Sequence, residues 1–200
     1  MLIMGILNVT PDSFADGGRH NDFDAAVARG LEMIAEGVDI IDIGGESTRP
    51  GAERVSEAEE IERTIPVITE LAKHGARISI DTMRASTAEA AVKAGASIIN
   101  DVSGGLADPE MLQTAARLQV PYIAMHWRGQ SKDMNSKAIY NDVVIDVISE
   151  LQERITAALD AGIEVGNLII DPGLGFAKDG EHNWEIIDSI DSFVDLGYPV

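Results

Sequence analysis

Short apolar runs alternate along the chain with longer segments in which apolar residues recur every three or four positions. The short runs are rich in isoleucine and valine, as buried parallel strands are. They lie at residues 2–7, 39–43, 77–81, 97–101, 122–125 and 168–171, and a seventh run begins at residues 199–200. The longer segments predict amphipathic helices. They lie at residues 23–36, 56–73, 85–94, 109–119, 140–161 and about 181–196.

Glycines stand at or just after the ends of most predicted helices. Gly37, Gly75, Gly95, Gly162 and Gly197 occupy these positions. A helix commonly ends in left-handed backbone, where glycine avoids the clash of a Cβ atom. The chain is therefore predicted to repeat one unit: helix, glycine, short turn and apolar strand. Such repeats give parallel strands joined by helical crossovers.

Polar residues at the predicted strand ends favour a barrel over a doubly wound open sheet. An open sheet that binds a dinucleotide would carry G-x-G-x-x-G after its first strand, whereas residues 8–12 read NVTPD. In a barrel, the carboxyl ends of the strands converge on one mouth that carries the functional residues. Polar residues at these ends are Asn8, Glu46, Asp81, Asn100, His126 and Asp171.

We therefore predict an α/β fold, a (β/α)8 TIM barrel, as a single domain over residues 1–200. Six strands and the start of the seventh are present in this interpretation. We expect the natural polypeptide to continue for about two β-α units, roughly 60–80 residues, because a barrel closes only with eight strands.

Composition narrows the class of protein. Apolar residues make up 45% of the chain and charged residues 24%, as in ordinary soluble domains. The net charge of −19 disfavours nucleic acids and anionic membranes as partners. Cysteine is absent, so disulfides and thiolate chemistry are excluded. These features predict a cytoplasmic protein without nucleic-acid or membrane partners.

Two loops after the first two strands have the composition of functional loops. The loop at residues 8–20 is long for a compact domain and carries an asparagine, two aspartates and an arginine. The second loop, residues 44–51, reads GGESTRPG. Its paired glycines let backbone N–H groups approach an anion, and Thr48 and Arg49 add a hydroxyl and a guanidinium. This set predicts a phosphate or pyrophosphate site, although a purely connecting role is the alternative for each loop.

Three strand ends carry groups suited to a nitrogen heterocycle. Asp81, Asn100 and Asp171 each follow an apolar run. A carboxylate that accepts two parallel N–H bonds complements a 2-amino-4-oxo-pyrimidine edge, and an amide supplies a donor and an acceptor. The alternative for each residue is a structural role, in which it caps the next helix or bonds a loop amide.

Several motifs together resemble dihydropteroate synthase. They are MGILNVTPDSF at residues 4–14, DIGGESTRPG at 42–51, IDT at 80–82, NDVSGG at 100–105, MH at 125–126 and DPGLGF at 171–176. The resemblance implies a transferase of folate biosynthesis, usually a homodimer, that condenses (7,8-dihydropterin-6-yl)methyl diphosphate with p-aminobenzoate. Sulfonamides are expected inhibitors for the same reason.

The resemblance also implies roles for individual residues. Asp81, Asn100 and Asp171 would hold the pterin ring, and Met125, Gly175 and Phe176 would line its pocket. Asn8 would coordinate a Mg²⁺ ion that bridges the diphosphate. Thr48 and Arg49 would bind near the diphosphate and shape the p-aminobenzoate site, which Phe14 and Pro50 would help enclose. Asp81, Arg49 and Thr48 are the expected catalytic residues, and His126 is a less favoured general base.

Two other functions are compatible with the motifs. One is a corrinoid-protein methyltransferase domain, which resembles this family in its barrel and pterin pocket but does not need the diphosphate loops. The other is a catalytically silent paralogue. The family's Ser-Arg-Lys and Arg-x-His segments do not occur at the expected place within residues 1–200. A protein that truly ended at residue 200 would be expected to be inactive and unstable.

Overall fold

A computed structural model describes residues 1–10, 19–47, 54–130 and 132–200, apart from the side chains of residues 19–22 and 135. Strands and helices alternate along these residues, as predicted. The strands are β1 Met4–Asn8, β2 Ile40–Gly44, β3 Ile78–Asp81, β4 Ile98–Asp101, β5 Tyr122–Met125 and β6 Leu168–Asp171. The helices are α1 Arg19–Glu36, α2 Glu57–Lys73, α3 Ala85–Ala94, α4 Met111–Leu118, α5 Val143–Asp160, α6 Gly180–Asp188 and α7 Ile190–Val194. Two 3₁₀ turns lie at Met134–Lys137 and Val165–Asn167.

The chain divides into two compact units, and the prediction of a single domain stays a prediction. The first unit contains Met1–Ser47 and Arg54–Asn100. In it, β1, β2 and β3 pair in chain order and in parallel, and β4 follows β3 in the same way. The apolar side chains of β2, β3 and β4 are buried, whereas in β1 Leu7 is buried and Ile6 is exposed. Helix α1 contacts α2, which in turn contacts α3.

The second unit contains Asp101–Val200. Here β5 and β6 form a parallel pair in which Tyr122 is opposite Leu168 and Met125 is opposite Asp171. Helix α5 contacts both strands and also α4 and α6. Its buried face forms a core cluster with the last two helices. The members of this cluster are Val143, Val147, Leu151, Ile186 and Phe193.

Residues 199–200, the predicted start of a seventh strand, already bond to β6. The amide of Ile170 donates a hydrogen bond of 2.9 Å to the carbonyl of Pro199. A parallel neighbour of β6 would accept the same kind of bond.

Side chains and glycines define the helix ends. Ser56 caps α2 by accepting from the amide of Glu59, and Asp142 caps α5 by accepting from the amide of Ile145. Both bonds satisfy an amide that has no partner inside the helix. All five glycines predicted to end helices have positive φ, between 77° and 121°. The prediction of left-handed helix ends is therefore confirmed.

One predicted helix is divided in two. The pattern predicted a continuous helix over about 181–196, but α6 ends at Asp188 and α7 begins at Ile190. Ser189, between them, has φ −104° and ψ 20°, outside helical geometry. Aspartate and serine form helices poorly, because their side chains compete for backbone hydrogen bonds. The other predicted ends are correct to within about four residues, the usual uncertainty of boundaries.

None of the helices within the described ranges is both long enough and apolar enough to cross a bilayer.

Truncation of the α5 core should destabilise the protein. Leu151 is 0% exposed, whereas Ile145 on the same helix is 64% exposed. We expect Leu151→Ala to lower the free energy of unfolding by about 2–5 kcal/mol, because it removes buried methyl groups and leaves a cavity. Ile145→Ala should change it by about 0.5 kcal/mol or less. Urea denaturation of the two variants measures the difference, and equal losses would contradict the assigned core.

Candidate active site

The strand register of the first unit places three of the predicted site residues on one level. Asn8 is opposite Gly44, Gly44 is opposite Asp81, and Asp81 is opposite Asn100. Partners in a parallel pair direct their side chains to the same face. These residues are also the last or nearly the last of their strands. The predicted convergence of Asn8, Asp81 and Asn100 at the carboxyl ends of β1, β3 and β4 is therefore confirmed.

The backbone at Gly44 leaves a small space between two of these side chains. A Cβ atom on Gly44 would lie 3.3 Å from Oδ2 of Asp81 and 3.4 Å from Oδ1 of Asn8. The two oxygens thus border the same position, which a side chain at residue 44 would fill. Oxygen atoms with such access can bind a cation or accept hydrogen bonds from a ligand.

Asn100 is oriented by a buried carboxylate. Its Nδ2 donates a 3.0 Å hydrogen bond to Oδ2 of Asp42, which is a buried residue of β2. This bond determines which end of the amide is the donor. The carbonyl oxygen of Asn100 and its second N–H therefore have known positions. Asn100 can therefore still offer both a donor and an acceptor to a ligand, as predicted.

A buried ionic cluster supports the loop that follows β3. Glu60 of α2 is 1% exposed and accepts hydrogen bonds from the hydroxyls of Thr82 and Thr87, at 2.6 and 3.3 Å. It also pairs with the guanidinium of Arg84. We call Glu60, Thr82, Arg84 and Thr87 the Glu60 cluster. A carboxylate can be buried at this depth because its oxygens are satisfied by donors and a countercharge.

Arg84 extends this cluster to both sides of residues 48–53. Its guanidinium donates to Oε2 of Glu46 at 2.9 Å and to the carbonyl of Val55 at 2.6 Å. Arg54 bonds the other carboxylate oxygen of Glu46 at 2.9 Å. Burial alone would lower the pKa of Arg84, but the charges of Glu60 and Glu46 outweigh it and raise the pKa. One permanently charged side chain thus joins the loop after β3 to Glu46 and to Val55, on either side of residues 48–53.

Gly45 has a packing requirement that the sequence interpretation did not include. A Cβ at this position would lie 2.8 Å from Cγ2 of Thr64 and 3.1 Å from the carbonyl of Glu60. The carbonyl of Gly45 also accepts a bond from Arg63 at 2.8 Å. The close approach of α2 is therefore sufficient to require glycine here, and the predicted anion contact of the paired glycines stays a prediction.

Four predicted site residues fall outside the described residues. They are Phe14, Thr48, Arg49 and Pro50. Their expected roles at the diphosphate and p-aminobenzoate stay predictions.

In the second unit, three predicted pterin-site residues line one open pocket of about 500 Å³. Met125, Asp171 and Phe176 lie in its wall, at the ends of β5 and β6 and in the loop that follows β6. The remaining lining residues are Pro172, Gly173, Leu174, Ile190, Val194 and Val200. Gly175 lies between two lining residues, and its amide donates to Oδ1 of Asn183 at 2.8 Å. An apolar wall with one acid is typical of small-ligand pockets.

Asp171 has the structural role that the sequence left open, and its role at the pterin stays a prediction. Its Oδ1 accepts a 2.7 Å hydrogen bond from the amide of Gly173, as expected for a residue that shapes a loop. Burial raises its pKa, against the opposing effects of that amide and of Lys178. Asp171 also lines the pocket.

His126 is buried and both of its ring nitrogens are occupied. Nδ1 lies 2.9 Å from Nζ of Lys178, and Nε2 lies 3.0 Å from Oε2 of Glu150. Because an ammonium can only donate, Nδ1 accepts and Nε2–H donates to Glu150. Burial, followed by the charge of Lys178, lowers the pKa of His126 to about 4. The neutral ring has no lone pair left for a substrate proton, so the geometry does not support the less favoured role as general base.

The sequence interpretation missed Glu60, Arg84, Glu150 and Lys178. Each is a charged residue on or beside a predicted helix, where exposure is the usual expectation. Only Lys178 had a local signal, since it lies two residues after the DPGLGF motif.

No group of three or more histidine or acidic residues arranged to hold a metal ion exists in the portion of the chain that the structure describes. A metal site in which the substrate supplied most of the ligands would not need such a group of protein residues.

Comparison with known proteins identifies similar sequences along the whole chain. Residues 4–200 match a family described as pterin binding enzyme. The dihydropteroate synthase of Bacillus subtilis is 51% identical over 200 residues, which cover 100% of this chain and 68% of that protein. The dihydropteroate synthase of Mycobacterium leprae is 49% identical over 199 residues, 99% of this chain and 70% of that protein.

Solved structures of dihydropteroate synthases superpose on this chain. The dihydropteroate synthase of Xanthomonas albilineans with 4-aminobenzoic acid superposes with a TM-score of 0.92 and 48% identity, over 100% of this chain and 71% of that chain. Its complex with 7,8-dihydropteroate gives a TM-score of 0.88 and 43% identity, over 100% of this chain and 70% of that chain. These neighbours are TIM barrels, so the predicted fold class is confirmed.

Removal of the buried charge at residue 60 should be costly. Glu60→Gln would remove one of the two carboxylates that pair with Arg84, the more deeply buried one, and weaken the bonds to Thr82 and Thr87. We expect the free energy of unfolding to fall by about 3 kcal/mol or more. Glu59→Gln, on the same helix, breaks a more exposed ion pair with Arg63 and should cost about 0.5 kcal/mol. Denaturant titration tests both, and a similar small loss in both variants would show that the Glu60 cluster is not needed for stability.

Proposed function

Because the chain belongs to the dihydropteroate synthase family of pterin-binding enzymes, we propose that it joins a dihydropterin to p-aminobenzoate. The substrates are (7,8-dihydropterin-6-yl)methyl diphosphate and p-aminobenzoate, and the products are 7,8-dihydropteroate and pyrophosphate. The predicted assignment as a transferase of folate biosynthesis is confirmed by the curated relatives. The structural observation that carries the proposal is the common level of Asn8, Asp81 and Asn100 at the strand ends.

Recognition of the pterin ring is assigned to Asp81, Asn100 and Asp171, as the family relationship implies. Asp81 and Asn100 supply hydrogen-bonding groups in the first unit, and the Asn100 amide is held in one orientation by Asp42. Asp171 supplies a carboxylate in the second unit, in a pocket with Met125 and Phe176. A flat heterocycle with polar edges needs apolar side chains against its faces and polar groups at its edges. Gly175 would allow the loop to approach the ring closely.

The reaction needs charge stabilisation and no protein nucleophile. As the bond between the methylene carbon and the diphosphate oxygen breaks, its electron pair leaves with the diphosphate and positive charge develops on the dihydropterin. The amine lone pair of p-aminobenzoate then forms the new carbon–nitrogen bond, and the nitrogen loses a proton. A carboxylate at Asp81 stabilises the positive charge, whereas Arg49 and Thr48 stabilise the leaving group. His126 takes no part in the proton transfer, because its nitrogens are already engaged.

Asn8 is the proposed protein ligand of Mg²⁺. Its Oδ1 and Oδ2 of Asp81 border the space at Gly44, and Mg²⁺ prefers oxygen ligands. In phosphate sites it is commonly held by one or two protein groups, with substrate phosphates and waters completing the octahedron. The residues therefore fit the ion. When bound, it would neutralise part of the charge of the diphosphate.

The p-aminobenzoate site is assigned to Phe14, Thr48, Arg49 and Pro50, and sulfonamides are expected to compete there. Support comes from the relative of 48% identity that was solved with 4-aminobenzoic acid. A homodimer and a cytoplasmic location are also proposed on the family relationship.

The first test is an activity assay on the protein at its natural length. We expect dihydropteroate to form from the two substrates and to require Mg²⁺, so that EDTA abolishes activity and added Mg²⁺ restores it. Product detection by chromatography and pyrophosphate release give two independent readouts. Pterin binding without product would favour the silent paralogue, and transfer of a methyl group from methyltetrahydrofolate would favour the methyltransferase domain.

Neutralisation of Asp81 tests its proposed catalytic role. Asp81→Asn keeps the size of the side chain but removes the charge that stabilises the developing cation. We expect kcat/KM to fall by about 100-fold or more. The exposed Asp160→Asn, at the end of α5, serves as a control for net charge and should retain full activity. A loss of less than about three-fold in the Asp81 variant would exclude electrostatic stabilisation by this residue.

A further inference from the structure

A buried lysine follows directly after the pocket-lining loop of the second unit. Lys178 is 7% exposed. Its Nζ donates hydrogen bonds to Nδ1 of His126 at 2.9 Å and to the carbonyls of Gly173 and Phe176, both at 3.0 Å. An ammonium has three donors, and all three are used. Two of the three acceptors belong to the loop that lines the pocket.

One acceptor of Lys178, His126, is itself held by a residue of α5. Nε2 of His126 donates to Glu150, and Glu150 also bonds the guanidinium of Arg128. Arg128 lies over the ring of Tyr140, 3.8 Å from its centroid. The hydroxyl of Tyr140 donates to the carbonyl of Ala177 at 2.9 Å, next to the lysine. The chain of contacts therefore closes on itself, and we call Lys178, His126, Glu150, Arg128 and Tyr140 the Lys178 cluster.

The loop between Asp171 and Lys178 needs such external support. Gly173, Gly175 and Ala177 all have positive φ, at 70°, 81° and 50°. For Ala177 this backbone is strained, because its Cβ crowds the following carbonyl. Gly173 packs so closely that a Cβ there would lie 2.6 Å from the carbonyl of His126. A loop with these conformations persists when surrounding contacts determine its shape, and Lys178 supplies two of those contacts.

We propose that Lys178 is a positioning residue of the pterin pocket, whose ammonium holds the loop after β6 so that Asp171 and Phe176 face the ligand. This inference rests on the proposed function, since it takes the pocket to be the pterin site. Lys178 is not among the residues that line the pocket, so its proposed action is through the loop.

The charge of Lys178 gives the cluster a second effect on the same site. It lowers the pKa of Asp171, which burial raises. The charged and titratable groups around Lys178 are His126, Arg128, Glu150 and Asp171. Of these, Asp171 lines the pocket. Loss of the ammonium should therefore raise the pKa of Asp171 further and leave this carboxylate protonated at a higher pH.

The test is a comparison of the two substrates in Lys178→Met. Methionine has a similar length but no donors and no charge. We expect the KM for the dihydropterin diphosphate to rise by about ten-fold or more, with less than about a two-fold change in the KM for p-aminobenzoate. The acid limb of the pH profile of kcat/KM for the pterin substrate should also move to higher pH. Lys93→Met, an exposed lysine of α3, is the matched control and should change none of these values.

Two further measurements keep the test decisive. Tyr140→Phe removes only the hydroxyl bond to Ala177 and keeps the ring under Arg128. We expect it to raise the KM for the dihydropterin diphosphate by about two- to five-fold. This variant can be measured even if Lys178→Met does not fold. Direct titration with dihydropterin diphosphate, in the absence of p-aminobenzoate, measures pterin affinity independently of turnover. A wild-type protein that binds pterin but forms no product would refute the proposed reaction and leave the inference standing. Unchanged pterin affinity in folded Lys178→Met, or in Tyr140→Phe if the first variant does not fold, would overturn the inference.

Discussion

The hydrogen-bond register of the parallel strands is the constraint on which the candidate site depends. Because β1, β2 and β3 pair in step, and β4 follows, residues from four separate segments reach one level. A slip of one residue in any strand would turn its site residue away from its neighbours. Gly44 belongs to this level too, and its missing side chain leaves space between Asn8 and Asp81. Site geometry and sheet geometry are thus set by the same bonds.

Buried charge is the second constraint, and the molecule meets it in a similar way in each unit. A net charge of −19 means that acids outnumber bases, and an unpaired buried carboxylate is costly. In the first unit, Glu60 is satisfied by Arg84 and two threonine hydroxyls. In the second, the buried groups are His126 and Lys178, and the half-buried Glu150 bonds His126 and Arg128. Both clusters lie beside loops that carry predicted site residues, so scarce basic residues are used where loop position matters.

The two units differ in how their loops are held. Arg84 keeps its charge at any physiological pH and bonds the Glu46 side chain and the Val55 carbonyl, on either side of residues 48–53. The loop after β6 is held instead by Lys178, whose pKa burial lowers to about 7. A lysine in this position can lose its proton near neutrality, whereas the arginine cannot. The contacts that hold the loop after β6 are therefore expected to be the more sensitive to pH.

The sequence by itself determined the alternation of strands and helices, the left-handed glycines and the residues at the strand ends. Strand β5 and helix α3 have the predicted bounds, because apolar periodicity and glycine preference are local properties. Tertiary structure alone decided which charged residues are buried together. Lys178 bonds a histidine 52 residues away, and Arg84 bonds a glutamate 24 residues away. The local sequence pattern indicates only how often a type of residue is buried. A charged residue can be buried when it has a partner, and the packing of distant segments brings that partner to it.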